Sequence, residues 1–383
     1  MPHYRFDEIA FNITDKKMPE PGDEKMYIGL EHLDSGCLKV SRWGNEVELT
    51  GQKLVMKKGD ILFGRRNTYL RRAAIAPHDG IFSAHGMIFR PKTEVVDPEY
   101  FPFFISSNYF MDAAIRISVG SLSPTVNWKT LKELEFDLPT LEEQRKNAAI
   151  LKSINETKEA YQELLVQTDN LVKSQFIEMF GDPIDNPYAW PVMSLKAACE
   201  KLTDGTHFSP ESFSKGDFKY ITAKNIKVDG FDFSSLTYLP EDVHRPIFSR
   251  CNPEKGDILY IKDGATTGIA MINSLDEEFS LLSSVALLKY DRSLLTGEYL
   301  KELLNYPTFY ENMRSNMGGA AITRLTVKKL CETMIMIAPI ERQQQFAEFA
   351  EQSDKSKFCS PNRNLSRCLV IQQRTRMAGL SLR

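Results

Sequence analysis

The stretch Lys58-Gly59-Asp60-Ile61-Leu62-Phe63 decides the fold, because it returns about 200 residues later as Lys255-Gly256-Asp257-Ile258-Leu259-Tyr260. A glycine beside an aspartate favours a turn, and an apolar run that ends in an aromatic residue favours a strand. One short match could arise by chance. The flanking sequences therefore decide whether the chain is duplicated.

The flanks repeat in the same order on both sides of this motif. The matches are Tyr27-Ile28-Gly29-Leu30 with Tyr220-Ile221-Thr222-Ala223, Ser83-Ala84-His85-Gly86-Met87-Ile88 with Ser283-Ser284-Val285-Ala286-Leu287-Leu288, Gly120 with Gly318, Thr125 with Thr323, Leu131 with Leu330, and Pro139-Thr140-Leu141-Glu142-Glu143-Gln144 with Pro339-Ile340-Glu341-Arg342-Gln343. A period near 200 residues is too long for a solenoid, whose repeats span roughly 20–50 residues. We therefore expect one duplicated domain, with loop insertions that make the offset drift.

A long helix is predicted between the two copies, from about Leu141 to Phe180. Its apolar residues recur mostly at gaps of three, four and seven, and acidic residues occupy its first turn. The run Gly181-Asp182-Pro183 should end it. About 40 helical residues span about 60 Å, and so long an apolar stripe must pack on another helix. We expect that helix after Pro339, where Phe346, Phe349 and Ala350 share a face.

The bulk composition restricts the class of protein. The chain has 383 residues, of which 42% are hydrophobic and 26% charged, and its net charge is −3. This excludes a uniformly basic nucleic-acid coat but permits a local positive face. No apolar run could cross a bilayer and the N-terminus lacks a signal-peptide layout, so we expect a cytoplasmic protein. The six cysteines form no C-x-x-C pair, which predicts free thiols and no metal site.

A basic segment surrounds the first copy of the motif. Arginine can bridge O6 and N7 of guanine, asparagine can bridge N6 and N7 of adenine, and both also hold phosphates. A solvated basic hairpin would have the same composition, so charge alone does not prove a DNA footprint. The candidate DNA contacts of the first half are Lys57, Lys58, Arg65, Arg66, Asn67, Tyr69, Arg71 and Arg72.

The second half offers a weaker set of candidates. Its loop at residues 262–268 is polar and glycine-rich but hardly basic, and Asp204-Gly205-Thr206-His207 is a turn with hydrogen-bonding side chains. No second histidine lies three or four residues from His207, which favours a structural or DNA-contact role over catalysis. The candidate DNA contacts of this half are Thr206, His207, Lys224, Asn225, Lys262 and Arg324.

Taken in order, these features resemble the specificity subunit of type I restriction–modification systems over roughly residues 1–355. The resemblance rests on the duplicated Lys-Gly-Asp-Ile-Leu turn, on Asp204-Gly205-Thr206-His207, on the two Pro-to-Gln helix openings, and on the junction Met179-Phe180-Gly181-Asp182-Pro183 with Asn186-Pro187 and Trp190. It implies an α+β fold. Two similar mixed α/β target recognition domains would be separated by long antiparallel coiled-coil-like helices.

The same resemblance implies a function. Each half would read one part of a bipartite, asymmetric double-stranded DNA site, and the chain would bind two methyltransferase subunits and restriction endonuclease subunits. It would contain no catalytic residue, no metal site and no cofactor. The partner-binding helix residues would be Leu151, Ile154, Tyr161, Leu165 and Val172.

Two other functions stay open at this point. One is a fused restriction and methylation enzyme with its own catalysis, although Asn186-Pro187-Tyr188 has a single proline, lies in the predicted linker and is a poor methyltransferase motif. The chain also lacks a Gly-x-x-x-x-Gly-Lys-Ser/Thr phosphate loop. The other is a two-headed adaptor that binds proteins and no DNA.

The predicted division is a first recognition domain at residues 1–139, a central helical spacer at 140–182, a second recognition domain at 183–338, a truncated distal helix at 339–358 and an atypical basic tail at 359–383. No acidic residue follows Asp354, and Pro361 would break a helix. We hypothesise a frameshift or recombination junction near Lys357. A natural basic tail that touches DNA phosphates is the alternative.

Overall fold

The computed structural model describes residues 1–44, 49–315, 317 and 324–359. They form two compact units, unit 1 at Met1–Gln162 and unit 2 from Glu163 to the last helix. The matches predicted for Gly318 and Thr323 lie outside the described residues. So does the tail beyond residue 359, with the frameshift inferred from it.

Unit 1 is built from short strands in two four-stranded sheets, with helices packed against one of them. Its strands are β1 (His3–Arg5), β2 (Ala10–Ile13), β3 (Lys16–Lys17), β4 (Tyr27–Ile28), β5 (Lys53–Met56), β6 (Ile61–Phe63), β7 (Ala73–Ile75), β8 (Gly80–Phe82), β9 (Met87–Pro91) and β10 (Glu135–Asp137). Its short helices are α1 (Phe6–Ile9), α2 (Phe101–Ser106), α3 (Asn108–Arg116) and α4 (Trp128–Leu131). The sheet orders are β2-β9-β6-β7 and β3-β5-β8-β4, and β1 pairs with β10.

A 40-residue helix, α5 (Leu141–Phe180), follows and enters unit 2. The strands of unit 2 are β11 (Val192–Ser194), β12 (Cys199–Asp204), β13 (Phe218–Ile221), β14 (Ile226–Lys227), β15 (Gly230–Phe231), β16 (Thr237–Leu239), β17 (Ile258–Ile261), β18 (Ala270–Ile272), β19 (Phe279–Leu281), β20 (Val285–Tyr290) and β21 (Met334–Met336). Its helices are α6 (Glu241–Arg250), α7 (Gly297–Asn305), α8 (Pro307–Ser315), α9 (Val327–Glu332) and α10 (Ile340–Cys359). Its sheets run β12-β20-β17-β18 and β16-β13-β19, with the pairs β11-β21 and β14-β15.

One sheet has the same strand order in both units, which confirms the predicted duplication. The order β2-β9-β6-β7 in unit 1 matches β12-β20-β17-β18 in unit 2. In the second sheet, β4 runs parallel to β8 as β13 runs parallel to β19. The strands β4 and β13, which contain the matched residues Tyr27-Ile28 and Tyr220-Ile221, are therefore equivalent strands of the two units.

The duplicated Gly-Asp-Ile-Leu motif is a turn followed by a buried central strand. Gly59 and Gly256 have φ values of 89° and 92°, a backbone region that favours glycine. The strands that follow, β6 and β17, are fully buried. The glycine thus makes the turn, and the apolar residues after it fill the core.

The aspartate of the motif closes this turn from inside. Asp60 Oδ2 accepts the backbone N–H of Lys57 at 2.8 Å, and Asp257 Oδ2 accepts that of Glu254 at 2.8 Å. Both carboxylates are buried. The motif that revealed the repeat therefore has a structural role in both units.

Strand pairing corrects one predicted match by a single residue. The sequence comparison matches Ile88 with Leu288, whereas the ladders pair Ile88 with Leu62 and Leu287 with Leu259. Apolar residues stand on both sides of the correct position, so composition could not fix the register. A one-residue shift in a strand moves every side chain to the other face of the sheet.

A buried glutamine fastens the start of α5 to the rest of unit 1. Gln144 Nε2 donates to the carbonyls of Pro139 at 2.9 Å and Val95 at 3.1 Å, and its Oε1 accepts the Asp97 N–H at 2.8 Å. A buried amide whose hydrogen bonds are all satisfied stabilises and orients the elements that it joins. The glutamine of the predicted helix opening therefore anchors the helix.

Gln343 makes the same contacts at the start of α10. Its Oε1 accepts the Thr296 N–H at 2.9 Å, and its Nε2 donates to the carbonyls of Leu294 at 2.9 Å and Ala338 at 2.8 Å. Ala338, not Pro339, takes the place of the first-copy proline. The predicted proline–proline match is therefore wrong by one residue, although the glutamines match.

The predicted bounds of α5, Leu141 to Phe180, are confirmed. Thr140 and Glu143 cap its start, since the Thr140 N–H donates to Glu143 Oε2 at 2.9 Å and this bond lowers the pKa of the Glu143 carboxyl. Gly181 ends the helix with a φ of 78°.

The segment Asn186-Pro187-Tyr188 belongs to the turn after α5, as predicted. The Asn186 side chain bonds the backbone of Trp190 through Nδ2 at 2.8 Å and Oδ1 at 2.9 Å. Trp190 Nε1 in turn donates to the Phe180 carbonyl at 2.9 Å. The side chains of Asn186 and Trp190 therefore have a structural role, which is to fix the end of α5.

Within unit 2, α10 packs antiparallel on the end of α5. Arg342 Nη1 donates to the Met179 carbonyl at 3.2 Å. One turn later, the Phe346 ring meets Phe176 and Phe180 at 5.5 and 5.6 Å, in edge-to-face geometry. The predicted pairing of the two helices is thereby confirmed.

Candidate nucleic-acid interface

Two loops at equivalent places in the units share one hydrogen-bonded turn. Loop L1 (residues 65–72) joins β6 to β7, and loop L2 (residues 262–269) joins β17 to β18. The Leu70 N–H donates to the Asn67 carbonyl at 2.9 Å in L1, as the Thr267 N–H donates to the Gly264 carbonyl at 3.2 Å in L2. Two loops of equal length that share this turn therefore carry two different sets of side chains.

Both loops turn at two left-handed positions. L2 places Gly264 (φ 102°) and Gly268 (φ 108°) there, whereas L1 places Asn67 (φ 55°) and Arg71 (φ 51°). A left-handed backbone at a residue with a side chain costs about 1–3 kcal/mol and persists only where surrounding contacts enforce it. L1 therefore has residues with side chains at the two left-handed positions, although the glycines at the same positions of L2 adopt this backbone with less strain.

The contacts of L1 fix some of its side chains and leave others free to reach a ligand. Arg71 Nη1 donates to Asn108 Oδ1 at 3.1 Å, and the same guanidinium forms an ion pair with Asp112 on α3. Arg72 Nη1 donates to the Leu30 carbonyl at 3.1 Å. Arg71 and Arg72 therefore brace the loop.

The outward part of L1 consists of Arg66 and Tyr69. Arg66 is exposed and makes a long hydrogen bond of 3.4 Å to Ser123 Oγ, while 56% of Tyr69 is exposed on the one-turn helix Thr68–Leu70. Arg65 is half-buried beside them. An exposed guanidinium next to an exposed aromatic ring suits contact with phosphates and base edges.

The structure does not place Lys57 and Lys58 with the arginines of L1. These lysines are exposed in the turn before β6, whereas L1 follows β6. Three strand residues span about 10 Å. The basic segment predicted as one candidate group is therefore split between opposite ends of a strand.

In unit 2, Asp204 is the centre of the predicted Asp-Gly-Thr-His turn. Its Oδ1 accepts from His207 Nε2 at 3.1 Å and lies 3.6 Å from Arg250 Nη1, and its Oδ2 lies 3.4 Å from Lys262 Nζ. Asp204 is buried, whereas 68% of the His207 side chain is exposed. The carboxylate thus orients an exposed imidazole at the end of β12.

The glycine and threonine of this turn have structural roles. A Cβ on Gly205 would lie 2.0 Å from the Leu281 carbonyl oxygen, so no larger residue fits. Thr206 is buried, donates its N–H to that carbonyl at 2.8 Å and accepts the Ser283 N–H at 2.8 Å. This backbone pairing holds the turn against β19.

The remaining candidates of unit 2 divide by exposure. Asn225 is buried, accepts the Thr222 N–H at 3.0 Å and donates to the Asp232 carbonyl at 3.1 Å, so it closes a turn. Lys262 is also buried. Lys224 and Arg324 are exposed. Of the six predicted contacts in this half, His207, Lys224 and Arg324 are accessible to a ligand.

Two arginines that the sequence did not single out join this end of unit 2. Arg250, the last residue of α6, donates Nη2 to the carbonyls of Asp204 (2.9 Å) and Gly205. Arg314 on α8 donates Nη1 to the L2 carbonyls of Ala265 at 3.1 Å and Thr267 at 3.0 Å. Neither lies in a basic run, so only the fold brings them to L2.

The predicted helix residues divide in a similar way. Leu151 packs against the core of unit 1, and Val172 packs against the core of unit 2. Ile154, Tyr161 and Leu165 are half-buried. The apolar side chains of α5 that are most exposed are Ile150 (47%), Leu164 (48%), Val166 (58%) and Leu171 (53%).

In the part of the chain that the structure describes, no three His, Cys, Asp or Glu side chains are grouped as metal ligands. Cys37, Cys199, Cys251 and Cys331 are free, and burial raises the pKa of the Cys251 thiol to about 12. No helix in the described ranges has the length and apolarity to cross a membrane.

Two segments of the sequence, residues 11–166 and 187–359, each match the type I restriction modification DNA specificity domain. Together the matches cover most of the chain, with one copy on each side of the turn after α5. The chain belongs to the type I restriction–modification DNA specificity family. The predicted family and the predicted non-catalytic recognition subunit are confirmed by this match and by the specificity subunits among its relatives.

Two relatives of this specificity-family chain align with different fractions of its length. The Type I restriction enzyme MjaVIII specificity subunit of Methanocaldococcus jannaschii is 20% identical over 366 residues, which cover 90% of this chain and 84% of that protein. The Type I restriction enzyme EcoDI specificity subunit of Escherichia coli is 27% identical over 142 residues, 37% of this chain and 31% of that one.

A solved structure confirms the fold of the family member. The S subunit of a type I restriction–modification system from M. genitalium superposes with a TM-score of 0.58 at 16% identity, covering 98% of this chain and 94% of that chain. The predicted fold class, two similar α+β domains with long antiparallel helices, is therefore confirmed.

Proposed function

We propose that the chain is the DNA-sequence-specificity subunit of a type I restriction–modification complex. It recognises a bipartite, asymmetric DNA site, with one part read by each unit, and it positions methyltransferase and restriction subunits without catalysis of its own. The observation that carries the proposal is the pair of loops L1 and L2, which present different side chains at equivalent places of the two units.

The difference between the loops supports an asymmetric target. L1 presents the exposed side chains of Arg66 and Tyr69, whereas the lysine of L2, Lys262, is buried. Direct readout depends on which donors and acceptors meet each base edge. Two units that offer such different groups are expected to select different half-sites.

The exposed apolar residues of α5 support a partner surface. Ile150, Leu164, Val166 and Leu171 are each about half exposed on a helix whose buried residues already serve the cores. Leu164 and Leu171, two helical turns apart, lie on one face, and exposed apolar side chains that lie together mark protein interaction sites. We propose that exposed apolar residues of α5, together with the predicted Ile154, Tyr161 and Leu165, bind two methyltransferase subunits.

The proposed division of labour follows the predicted boundaries. Residues 1–139 and 183–338 recognise DNA, and residues 140–182 and 339–358 form the helices that partners bind. Because the proposed ligand is chromosomal DNA, we propose that the chain acts in the cytoplasm.

The test is the pattern of methylated adenines in a host genome. The chain is expressed with its methyltransferase subunits in a strain that lacks them, and the genome is sequenced with detection of N6-methyladenine. We expect a split, asymmetric motif that disappears when this gene is deleted. Arg66→Ala should relax the bases of one half-site only, while Lys58→Ala, at the other end of β6, should leave the motif intact.

The alternative functions give different results in the same system. A fused enzyme would methylate or cleave DNA when the purified chain alone receives S-adenosylmethionine and Mg²⁺. A protein-binding adaptor would show no DNA affinity, whereas a DNA reader loses affinity steeply as salt rises. A genome without a motif dependent on this gene would refute the proposal.

A further inference from the structure

A line of alternating charges lies where L2 begins. Arg250 Nη1 is 3.6 Å from Asp204 Oδ1, and Asp204 Oδ2 is 3.4 Å from Lys262 Nζ. Lys262 Nζ is 3.2 Å from Asp263 Oδ2, and Asp263 Oδ1 is 3.8 Å from Arg324 Nε. One lysine thus lies between two carboxylates, and each carboxylate lies within 4 Å of an arginine.

Burial separates the inner from the outer members of this line. The side chains of Asp204, Lys262 and Asp263 are 5%, 7% and 16% exposed, whereas those of Arg250 and Arg324 are 46% and 61% exposed. Buried charges are costly unless they are paired, and the inner three pair with each other. The inner two carboxylates and one lysine leave one negative charge, so the two arginines that face solvent give the line one surplus positive charge.

We infer that Arg250 and Arg324 determine the DNA specificity of unit 2, and that Asp204 and Asp263 are positioning residues that orient them. The inference rests on the proposed function and names the groups that would carry it in this unit. A guanidinium that is already held in one orientation loses less conformational freedom on binding. Its fork of donors matches the O6 and N7 acceptors of guanine.

Comparison with unit 1 explains why these residues are not found in L2 itself. The Val126 N–H donates to the Arg65 carbonyl at 2.9 Å, and the Leu325 N–H donates to the Lys262 carbonyl at 2.9 Å, so Lys262 and Asp263 stand in the places of Arg65 and Arg66. Unit 1 presents its cations on the loop. Unit 2 takes its cations from α6 and from the segment before α9.

Helix α6 is the element that brings one of these cations to the start of L2 in unit 2. It supplies Arg250 from its last turn, and no α-helix occurs between β4 and β5 in the described residues of unit 1. Arg250 also donates Nη2 to the carbonyls of Asp204 and Gly205. The guanidinium is therefore fixed on the same turn that holds His207, which places two exposed side chains, a guanidinium and an imidazole, on this turn.

The experiment selects DNA from a pool of duplexes with a randomised central segment. The full chain with its methyltransferase subunits is the bait, and the bound duplexes are sequenced. The wild type should enrich a two-part motif. Arg250→Ala and Arg324→Ala should each lose a preferred guanine in one half-site, with binding of the selected duplex weakened about ten- to one-hundredfold, while the other half-site stays unchanged.

Matched variants separate this role from general charge and from folding. Arg292→Ala removes an exposed arginine of unit 2 at the opposite end of β17, where it donates to the Lys255 carbonyl, and it should leave the motif intact. Asp263→Asn should blur the same bases as Arg324→Ala, and Asp263→Glu should restore them. Circular dichroism melting of each variant reports whether it folds.

The possible outcomes test the proposed function and the inference about Arg250 and Arg324 separately. If the wild type enriches no motif, the proposed function itself fails. If the wild type enriches a split motif and both half-sites survive in folded Arg250→Ala and Arg324→Ala, the proposed function stands and this inference is overturned. Uniform weakening over all sequences also overturns it, because that result assigns the arginines to phosphates alone.

Discussion

Asp60 receives two hydrogen bonds from the guanidinium of Arg90. Arg90 Nε donates to Oδ1 at 2.8 Å and Nη2 to Oδ2 at 2.9 Å, across the pair β6 and β9. The Asp60 side chain is 3% exposed and that of Arg90 is 40% exposed. In unit 2, Lys289 Nζ lies 2.8 Å from Asp257 Oδ2 in the equivalent place. A cation on the neighbouring strand therefore balances the aspartate of the duplicated motif in both units.

Replacing this aspartate should destabilise the unit that contains it. Asp60→Ala removes the acceptor of the Lys57 N–H and leaves Arg90 without its partner, so we expect the free energy of unfolding to fall by about 2–3 kcal/mol. Urea denaturation of the variant measures the change. Lys58→Ala, in the same turn but exposed, should change it by less than about 0.5 kcal/mol. Equal effects of the two variants would contradict the structural role of Asp60.

The buried glutamines should be equally intolerant. Gln144→Leu leaves the Asp97 N–H and the carbonyls of Val95 and Pro139 without their partner, and each unsatisfied buried group costs about 1–3 kcal/mol. We expect a loss of about 3 kcal/mol or more in thermal unfolding, and a similar loss for Gln343→Leu. Gln167→Leu is the control, because this exposed glutamine on α5 makes one bond of 3.3 Å, to Glu163. A stable Gln144→Leu variant would show that the helix start is held by other contacts.

The two glycines of L2 should differ although both have a positive φ. A Cβ at Gly268 would lie 2.6 Å from the Tyr310 ring, whereas a Cβ at Gly264 would meet nothing within 4 Å. Gly264→Ala should therefore cost only the backbone strain, about 1 kcal/mol, and Gly268→Ala should cost clearly more. Chemical denaturation of both variants tests the order. The reverse order would mean that L2 does not pack on α8 as described.

The sequence predicts the duplication and the long helix because each rests on signals that survive divergence. Gly59, Asp60 and Gln144 each hold the backbone in a way that few residues can replace. The same signals cannot set the register of β9, because neighbouring apolar residues such as Met87 and Ile88 are equivalent in composition. Packing decides between them, and packing is visible only in three dimensions.

The candidate interface is harder to predict for a different reason. Charge along the chain marks L1 but also includes Lys57 and Lys58, which a strand separates from it. In unit 2, the exposed cations Arg250 and Arg324 stand far apart in sequence and are brought together through buried carboxylates. No local pattern records such a convergence, so the second loop looks neutral in the sequence.

Stability should depend on pH through His244 of α6. The imidazole is buried, stacks on the Phe218 ring at 3.9 Å and lies 2.9 Å from Ser280 Oγ. Burial lowers the pKa of His244, against the opposing effect of Glu278. Arg245 and Glu241 are the other charged groups that act on it, and the lowering by burial prevails.

A lowered pKa in the folded protein makes this contribution present at neutral pH and lost in acid. Below a pH of about 6.5, the unfolded chain binds a proton at His244 while the folded chain does not, so the free energy of unfolding falls by up to about 1.4 kcal/mol for each unit by which the pKa is lowered. We expect wild-type stability to fall between pH 7 and pH 5 by more than that of His244→Phe, which cannot be protonated. Urea denaturation at a series of pH values gives both slopes, and His85→Phe, at an exposed histidine, controls for the loss of any imidazole. Parallel slopes for the wild type and His244→Phe would show that His244 binds a proton equally well in the folded and unfolded protein. That result would contradict a buried, neutral imidazole at His244 of α6.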